Sequence, residues 1–136
     1  MALKYHCDVE VSFRDCDPMG HVNNAVYLTY LEIARFAYWR EVGGGTAWGD
    51  VKFIMARVEI DYKAPAEPGD VIDLALGITS FGRTSFVFEY ELRNQRGLVV
   101  AIARTVQVMY DYSIGKPVLV VPEFRERVAA YEGLTR

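Results

Sequence analysis

Within one short stretch, Asp15-Cys-Asp-Pro-Met-Gly-His-Val-Asn-Asn24, the chain places two carboxylates, a thiol, an imidazole and two amides. Asp17 needs no helper to react. An aspartate is ionised at neutral pH, so it can attack an electrophilic carbon without a second base, and the same low basicity makes it a weak general base. Burial would raise its basicity and narrow that difference. Taken alone, an Asp before Pro18 also reads as an ordinary turn residue. Asn23 and Asn24 are good helix caps, and a helix beginning there exposes unpaired N–H groups and the positive end of its dipole to any developing anion. Gly20 permits a tight turn against a ligand. His21 can orient a polar group or water, but without a carboxylate relay in the sequence it is equally a structural loop histidine.

Flanking elements must hold this stretch. Residues Tyr5 to Arg14 alternate strictly, with Tyr5, Cys7, Val9, Val11 and Phe13 on the side expected to be buried, which predicts a strand. Pro18 and Gly20 end it in an ordered loop. From Ala25 to Val42 the residues are apolar nearly all round, predicting a long, largely buried helix with Asn23 or Asn24 at its start and Gly43 at its end. After Gly43–Gly45, period-two alternation continues with breaks to about Asp111. Val51, Phe53 and Met55 keep one phase and Val58, Ile60 and Tyr62 the other, so a bulge is expected near Ala56 and Arg57. Ile72, Leu74, Leu76 and Ile78 form the next strand, Phe81-Gly82-Arg83 turns the chain, and Phe86, Phe88, Tyr90 and Leu92 return it. After a turn at Asn94–Gly97, Leu98, Val100, Ile102, Val106, Val108 and Tyr110 predict a last strand in even phase, with Arg104 in an apolar slot and in need of a partner. Pro122 at a first helical position predicts a short helix to Tyr131. The order predicts an α+β fold in one domain, 1–136: a long central helix wrapped by a curved five-stranded antiparallel sheet, with a short C-terminal helix.

Residues Phe13-Arg-Asp-Cys-Asp-Pro-Met-Gly-His-Val-Asn-Asn-Ala-Val-Tyr27, followed by Tyr30, Glu32 and Arg35, resemble the signature of the 4-hydroxybenzoyl-coenzyme A thioesterase family. Asp61-Tyr-Lys-Ala-Pro-Ala with Gly69-Asp70, and Phe81-Gly-Arg-Thr-Ser-Phe86, extend the resemblance over most of the chain. It implies a hotdog fold assembled at least as dimers, with active sites between subunits and the pantetheine arm entering there. By position, Asp17 matches the catalytic carboxylate and the Asn24 backbone N–H the donor that polarises the thioester carbonyl. Attack by Asp17 to give an acyl-aspartyl anhydride is favoured over activation of water. Tyr27 matches a pocket position, although a tyrosine in so aromatic a helix is also a core residue. Gly82, Arg83 and Thr84 match the turn near the coenzyme A phosphates, with Arg83 the single cation where relatives carry several; Lys63 is a further candidate. Glu32 either reaches the far end of an acyl group or pairs with Arg35, its helical neighbour.

Composition removes other classes. A net charge of -3 with scattered Lys and Arg provides no stripe for neutralising phosphates, so no nucleic-acid partner is expected. No apolar run approaches the roughly 18 residues of a membrane span. Cys7 and Cys16 lie too far apart along an extended segment to bridge, which fits a reducing cytoplasm. His6, Cys7, Cys16 and His21 do not converge as zinc ligands, and no metal is expected. Motifs for serine hydrolases, nucleotide binding and hotdog dehydratases are missing. The sequence thus reads as a hydrolase of acyl-coenzyme A without a cofactor, cytoplasmic and a homodimer or homotetramer. Hydrolysis of acyl carrier protein thioesters, or acyl-ligand binding without turnover, are its alternatives.

Overall fold

The computed structural model of the chain describes residues 3–45 and 52–134. Strand β1 (Tyr5–Glu10) leads through a 3-10 turn (Phe13–Asp15) to helix α1 (Val26–Glu41). Four strands follow, β2 (Phe53–Tyr62), β3 (Val71–Phe81), β4 (Ser85–Arg93) and β5 (Val99–Asp111), then a two-residue β6 (Lys116–Pro117) and helix α2 (Pro122–Glu132). The sheet order is β1-β3-β4-β5-β2, every pairing is antiparallel, and β6 adds to β5. The α+β class and the antiparallel sheet are as the patterning predicts, with β6 as an addition.

Alternation in β3 and β4 puts Ile72, Leu74, Leu76, Ile78, Phe86, Phe88, Tyr90 and Leu92 on one face, each at most 2% exposed. Across from them α1 buries Tyr27, Tyr30, Leu31, Ala34, Arg35 and Tyr38, one stripe at helical spacing. Tyr38 meets Tyr5 and Phe88 edge-on, with ring centroids 5.6 and 5.1 Å away. Burial of side chains this large contributes about 1.5–3 kcal/mol each, which fixes α1 on the sheet.

The helix is not covered all round. Leu28 and Ile33 are 37% and 44% exposed, because α1, 16 residues long, packs chiefly on β1 and β3 and leaves its other flank open. Its ends also differ from expectation. Ala25 occupies the N-cap position, while the Asn23 side chain accepts from the Ala25 N–H at 2.9 Å. At the other end Val42 is the C-cap and Gly44, not Gly43, takes the left-handed conformation (φ 82°).

Strand β1 stops before the alternation does. The Val11 N–H turns to the Asp70 carbonyl at 2.8 Å, and Phe13 is 84% exposed in the following turn rather than buried. In β2 the expected bulge is present between Met55 and Arg57. It sets Phe53, Met55, Val58, Ile60 and Tyr62 opposite Met109, Gln107, Thr105, Ala103 and Ala101, all on the face that looks toward α1. Val51 lies outside the described residues. The expected phase of β5 is inverted: the odd residues from Ala101 to Met109 face inward, while Ile102, Arg104, Val106, Val108 and Tyr110 lie on the outer face. Arg104 therefore occupies no core slot; it stands 3.7 Å from Glu59 on that outer face. Helix α2 forms as predicted, with Pro122 in its first turn and Gly133 closing it in the left-handed conformation (φ 72°). Both cysteines are free, and no helix among the described residues is long and apolar enough to cross a membrane.

Candidate active site

The loop after the 3-10 turn is a small hydrogen-bonded unit. Cys16 and Val22 form a lone antiparallel bridge, the Asp17 N–H donates to the His21 carbonyl at 2.9 Å, and the Gly20 N–H donates to the Asp17 carbonyl at 2.9 Å. Gly20 makes this turn possible at φ 82°, a conformation that costs an L side chain energy; nothing else lies within 4 Å of where a Cβ would be. The loop is tied to the connection between β2 and β3 by the Val22 N–H on the Ala66 carbonyl at 2.9 Å, and to the preceding turn by the Asn23 N–H on the Asp15 carbonyl at 3.0 Å.

Asp15 is the anchor of the unit. Its carboxylate accepts from the Tyr30 hydroxyl at 2.8 Å and from the Ser12 N–H at 3.0 Å. Partial burial works against its charge, but the bonds from Tyr30 and Ser12, with Arg14 nearby, outweigh it and hold the carboxyl below its ordinary value. Asp15 is thus spent on structure. Asp17 is only half-buried: Oδ1 accepts from the Met19 N–H at 2.9 Å, and Oδ2 makes no bond to a described residue.

Asp17 lines a cavity of about 390 Å³, which His21, Asn24, Tyr27, Tyr62 and Lys63 also line. Among the described residues the Asn24 N–H has no acceptor, whereas the Asn24 carbonyl accepts from the Tyr62 hydroxyl at 3.1 Å. The residues before α1 therefore bring an unpaired backbone donor and a carboxylate with one unbonded oxygen to the lining of the same cavity. Tyr27 is 3% exposed and packs edge-on against Tyr62 at 5.2 Å, so it is core and cavity wall at once. Burial, with Tyr62 and Cys16 beside it, pushes its phenol above the ordinary value, which keeps it neutral. Gly20 borders a second depression on the other side of Asp17, shared with Phe13, Cys16, Pro18 and Pro68.

Asp17, Gly20, His21, Asn24 and Tyr27 are thus gathered, while Gly82, Arg83 and Thr84 are not. The Met109 N–H donates to the Thr84 carbonyl at 2.7 Å, and Met109 faces Phe53, so this turn lies at the Phe53 end of the sheet. Tyr62, at the Asp17 end, is nine residues further along β2, roughly 30 Å at strand rise. The turn is braced there by α2: Arg125 donates to the Gly82 carbonyl at 2.6 Å. Arg35 and Glu32 form no ion pair; the guanidinium donates instead to the Tyr90 hydroxyl at 3.2 Å. Sequence reasoning gives Tyr62 no role, although it lies within the Asp61-Tyr-Lys-Ala-Pro segment; only the register of β2 shows that its hydroxyl reaches the start of α1. Among the described residues no group of three or more His, Cys, Asp or Glu is placed to hold a metal.

Residues 11–128 match the Thioesterase-like superfamily. The chain belongs to that family. A thioesterase from Thermus thermophilus, solved in complex with coenzyme A and Zn, superposes with a TM-score of 0.86 at 35% identity, covering 96% of each chain. The acyl-CoA thioester hydrolase YbgC of Escherichia coli O6:H1 is 29% identical over 112 residues, 80% of this chain and 84% of its own. The long-chain acyl-CoA thioesterase FadM of Escherichia coli K12 is 27% identical over 128 residues, 91% and 89% of the two chains. In this thioesterase-like chain the loop around Asp17 and the turn around Arg83 both lie inside the matched span.

Proposed function

We propose that the chain hydrolyses acyl-coenzyme A thioesters to the free acid and coenzyme A, with Asp17 as nucleophile and the Asn24 N–H as oxyanion donor. The observation that carries this reading is that one cavity is lined both by Asp17, which has a carboxylate oxygen free of hydrogen bonds to described residues, and by Asn24, whose N–H has no acceptor among them. The Asp17 carboxylate attacks the thioester carbon, and the carbonyl oxygen takes the negative charge beside the Asn24 N–H and the positive end of α1. Collapse breaks the C–S bond and releases the thiolate, which takes a proton from water. The acyl-aspartyl anhydride that remains is opened by water, restoring the carboxylate. Asp17 acting as a general base on water is the variant of the same site. Tyr27 and His21 shape the acyl side of the cleft, and Gly20 supports the loop that carries Asp17.

The reading includes a homo-oligomer in the hotdog arrangement. Strand β2 is an edge with one side unpaired, and the open flank of α1 lies beside it. Antiparallel pairing of β2 with a second copy about a two-fold axis sets the Phe53 end of one subunit against the Tyr62 end of the other. The partner's Arg83 then approaches Asp17, where a guanidinium suits the phosphates of coenzyme A. Two free cysteines accord with a reducing cytoplasm.

The test is release of thiol from short, long and aromatic acyl-coenzyme A esters by the purified protein. Replacing Asp17 with Asn is expected to lower turnover by about two orders of magnitude or more while the far-UV spectrum and melting temperature hold. Unchanged turnover in the folded variant removes Asp17 from the mechanism.

A further inference from the structure

Tyr62 is the last residue of β2, and both its backbone and its ring are fixed. Its backbone pairs with Ala101, and the next two N–H groups, those of Lys63 and Ala64, donate to the Val100 carbonyl at 2.9 and 3.3 Å. Its ring lies edge-on to the buried ring of Tyr27, 5.2 Å between centroids and 68° between planes. The hydroxyl is thereby carried to the residues before α1, where it donates to the Asn24 carbonyl at 3.1 Å.

That carbonyl is available because of how the helix begins. In a regular α-helix it would accept from the N–H four residues on, that of Leu28. Here the chain enters through tighter turns, in which the Val26 N–H donates to the Asn23 carbonyl at 2.9 Å and the Leu28 N–H to the Ala25 carbonyl at 3.2 Å. Among the described residues no backbone N–H donates to the Asn24 carbonyl, and the phenol takes the place of that partner. The Asn23 N–H donates to the Asp15 carbonyl at 3.0 Å, and the Ala25 N–H to the Asn23 side chain at 2.9 Å. Every backbone N–H and carbonyl from Asn23 to Ala25 thus has a partner among the described residues except one, the Asn24 N–H. The other bonds of this frame join residues 15 to 28, whereas the bond from Tyr62 ties it to β2.

We propose that Tyr62 is a positioning residue: its hydroxyl fixes the Asn24 main chain and, with it, the orientation of the unpaired N–H that serves as oxyanion donor. The inference rests on the thioesterase reading and extends it. A donor of this kind stabilises the transition state only when it is aimed at the place where the oxyanion forms, so a small rotation of its peptide is costly. A phenol has a single proton. Given to the Asn24 carbonyl, that proton is not available to a thioester oxygen, so Tyr62 acts through Asn24 and not as a second oxyanion donor.

Tyr62→Phe removes the hydroxyl and keeps the ring against Tyr27. Its kcat for an acyl-coenzyme A ester that the wild type hydrolyses is expected to fall about tenfold, with KM within about twofold and the melting temperature close to wild type. The same substitution is then made in an Asn24→Pro background. With the donor gone the hydroxyl has nothing left to aim, and kcat is expected to change by less than about twofold. An equal loss in both backgrounds assigns the effect to stability and overturns the inference. So does a wild-type kcat in Tyr62→Phe, with or without a change in KM, and each of these results leaves the thioesterase reading standing. If the wild type hydrolyses no thioester, that reading falls and the Asn24 amide signal in a two-dimensional NMR spectrum decides the positioning. A signal that broadens or splits in Tyr62→Phe supports it, and one as sharp as in the wild type overturns it.

Discussion

The substitution Asn24→Pro separates the two roles of the α1 N-terminus. A backbone donor cannot be removed by changing a side chain, but proline has no N–H. Here that N–H makes no hydrogen bond to a described residue, so Asn24→Pro removes no structural bond, and the Tyr62 hydroxyl can still reach the carbonyl of the residue. A proline near the start of a helix is also tolerated for its fixed φ. The expected change in folding free energy is therefore under about 1 kcal/mol. Loss of one oxyanion donor costs roughly 2.7–4 kcal/mol of barrier, so kcat should fall about a hundred- to a thousandfold. Asn24→Ala, which keeps the N–H and loses the side chain, is expected to stay within a few-fold of wild type. Steady-state thioester hydrolysis, with thermal melts of both variants, is the assay. A folded Asn24→Pro variant with wild-type kcat, or equal losses in both variants, refutes the assignment of this donor.

Mixing two impaired variants tests whether the site is shared between copies. Random exchange of Asp17→Asn and Arg83→Ala subunits should restore about a quarter of wild-type sites, because half the dimers are hybrids with one intact site each; activity that stays at the average of the parents refutes a shared site. Gly20→Ala should lower stability by about 1 kcal/mol in urea melts, since its φ of 82° penalises a Cβ even though nothing crowds it; an unchanged midpoint contradicts this. Asp70 and Asp15 both titrate below the ordinary carboxylate value, Asp70 through the Gln95 side chain and the Glu67 N–H, Asp15 through Tyr30 and Ser12, whose bonds outweigh its partial burial. Their stabilisation is complete above the unfolded-state value and is lost as pH falls through the lower folded-state values. Asp70→Asn should therefore flatten stability against pH in that acid window, and an unaltered slope excludes Asp70 as a contributor.

The elements that proved legible are those in which local pattern and tertiary demand agree. Strands β3 and β4 alternate because one face meets α1, and the phase change in β2 announced the bulge that Met55 and Arg57 display. Strand β5 misled because, Met109 apart, its inner face carries Ala101, Ala103, Thr105 and Gln107, small or polar residues, while Ile102, Val106, Val108 and Tyr110 face outward; Thr105 and Gln107 are hydrogen-bonded to each other, and Thr105 to Tyr90. Phe13 kept the alternation of β1 after the Val11 N–H had already left the ladder for Asp70. Within the candidate site, Asp17, His21, Asn24 and Tyr27 could be gathered from sequence because they are neighbours in the chain, whereas Tyr62 arrives from another strand and its contact depends on register. Gly82–Thr84 stays apart for a geometric reason: no folding of one chain brings the two ends of a long strand together.

The irregularity at Ala56 ties reading frame to chemistry. Side-chain direction along a strand reverses with each residue, so this single extra position lets both halves of β2 present their apolar side chains to α1. Excising Ala56 would leave composition and hydrophobicity almost untouched while rotating one half of the strand by a face. Should the half nearer the loop turn, Tyr62 would swing away from Asn24 and open the cleft; should the other half turn, Met55 and Phe53 would leave the inner wall. A change of one methyl-bearing residue, outside the Asp17 cavity, would thereby cost α1 the aromatic contact of Tyr62 with Tyr27 or that of Phe53 with Trp39.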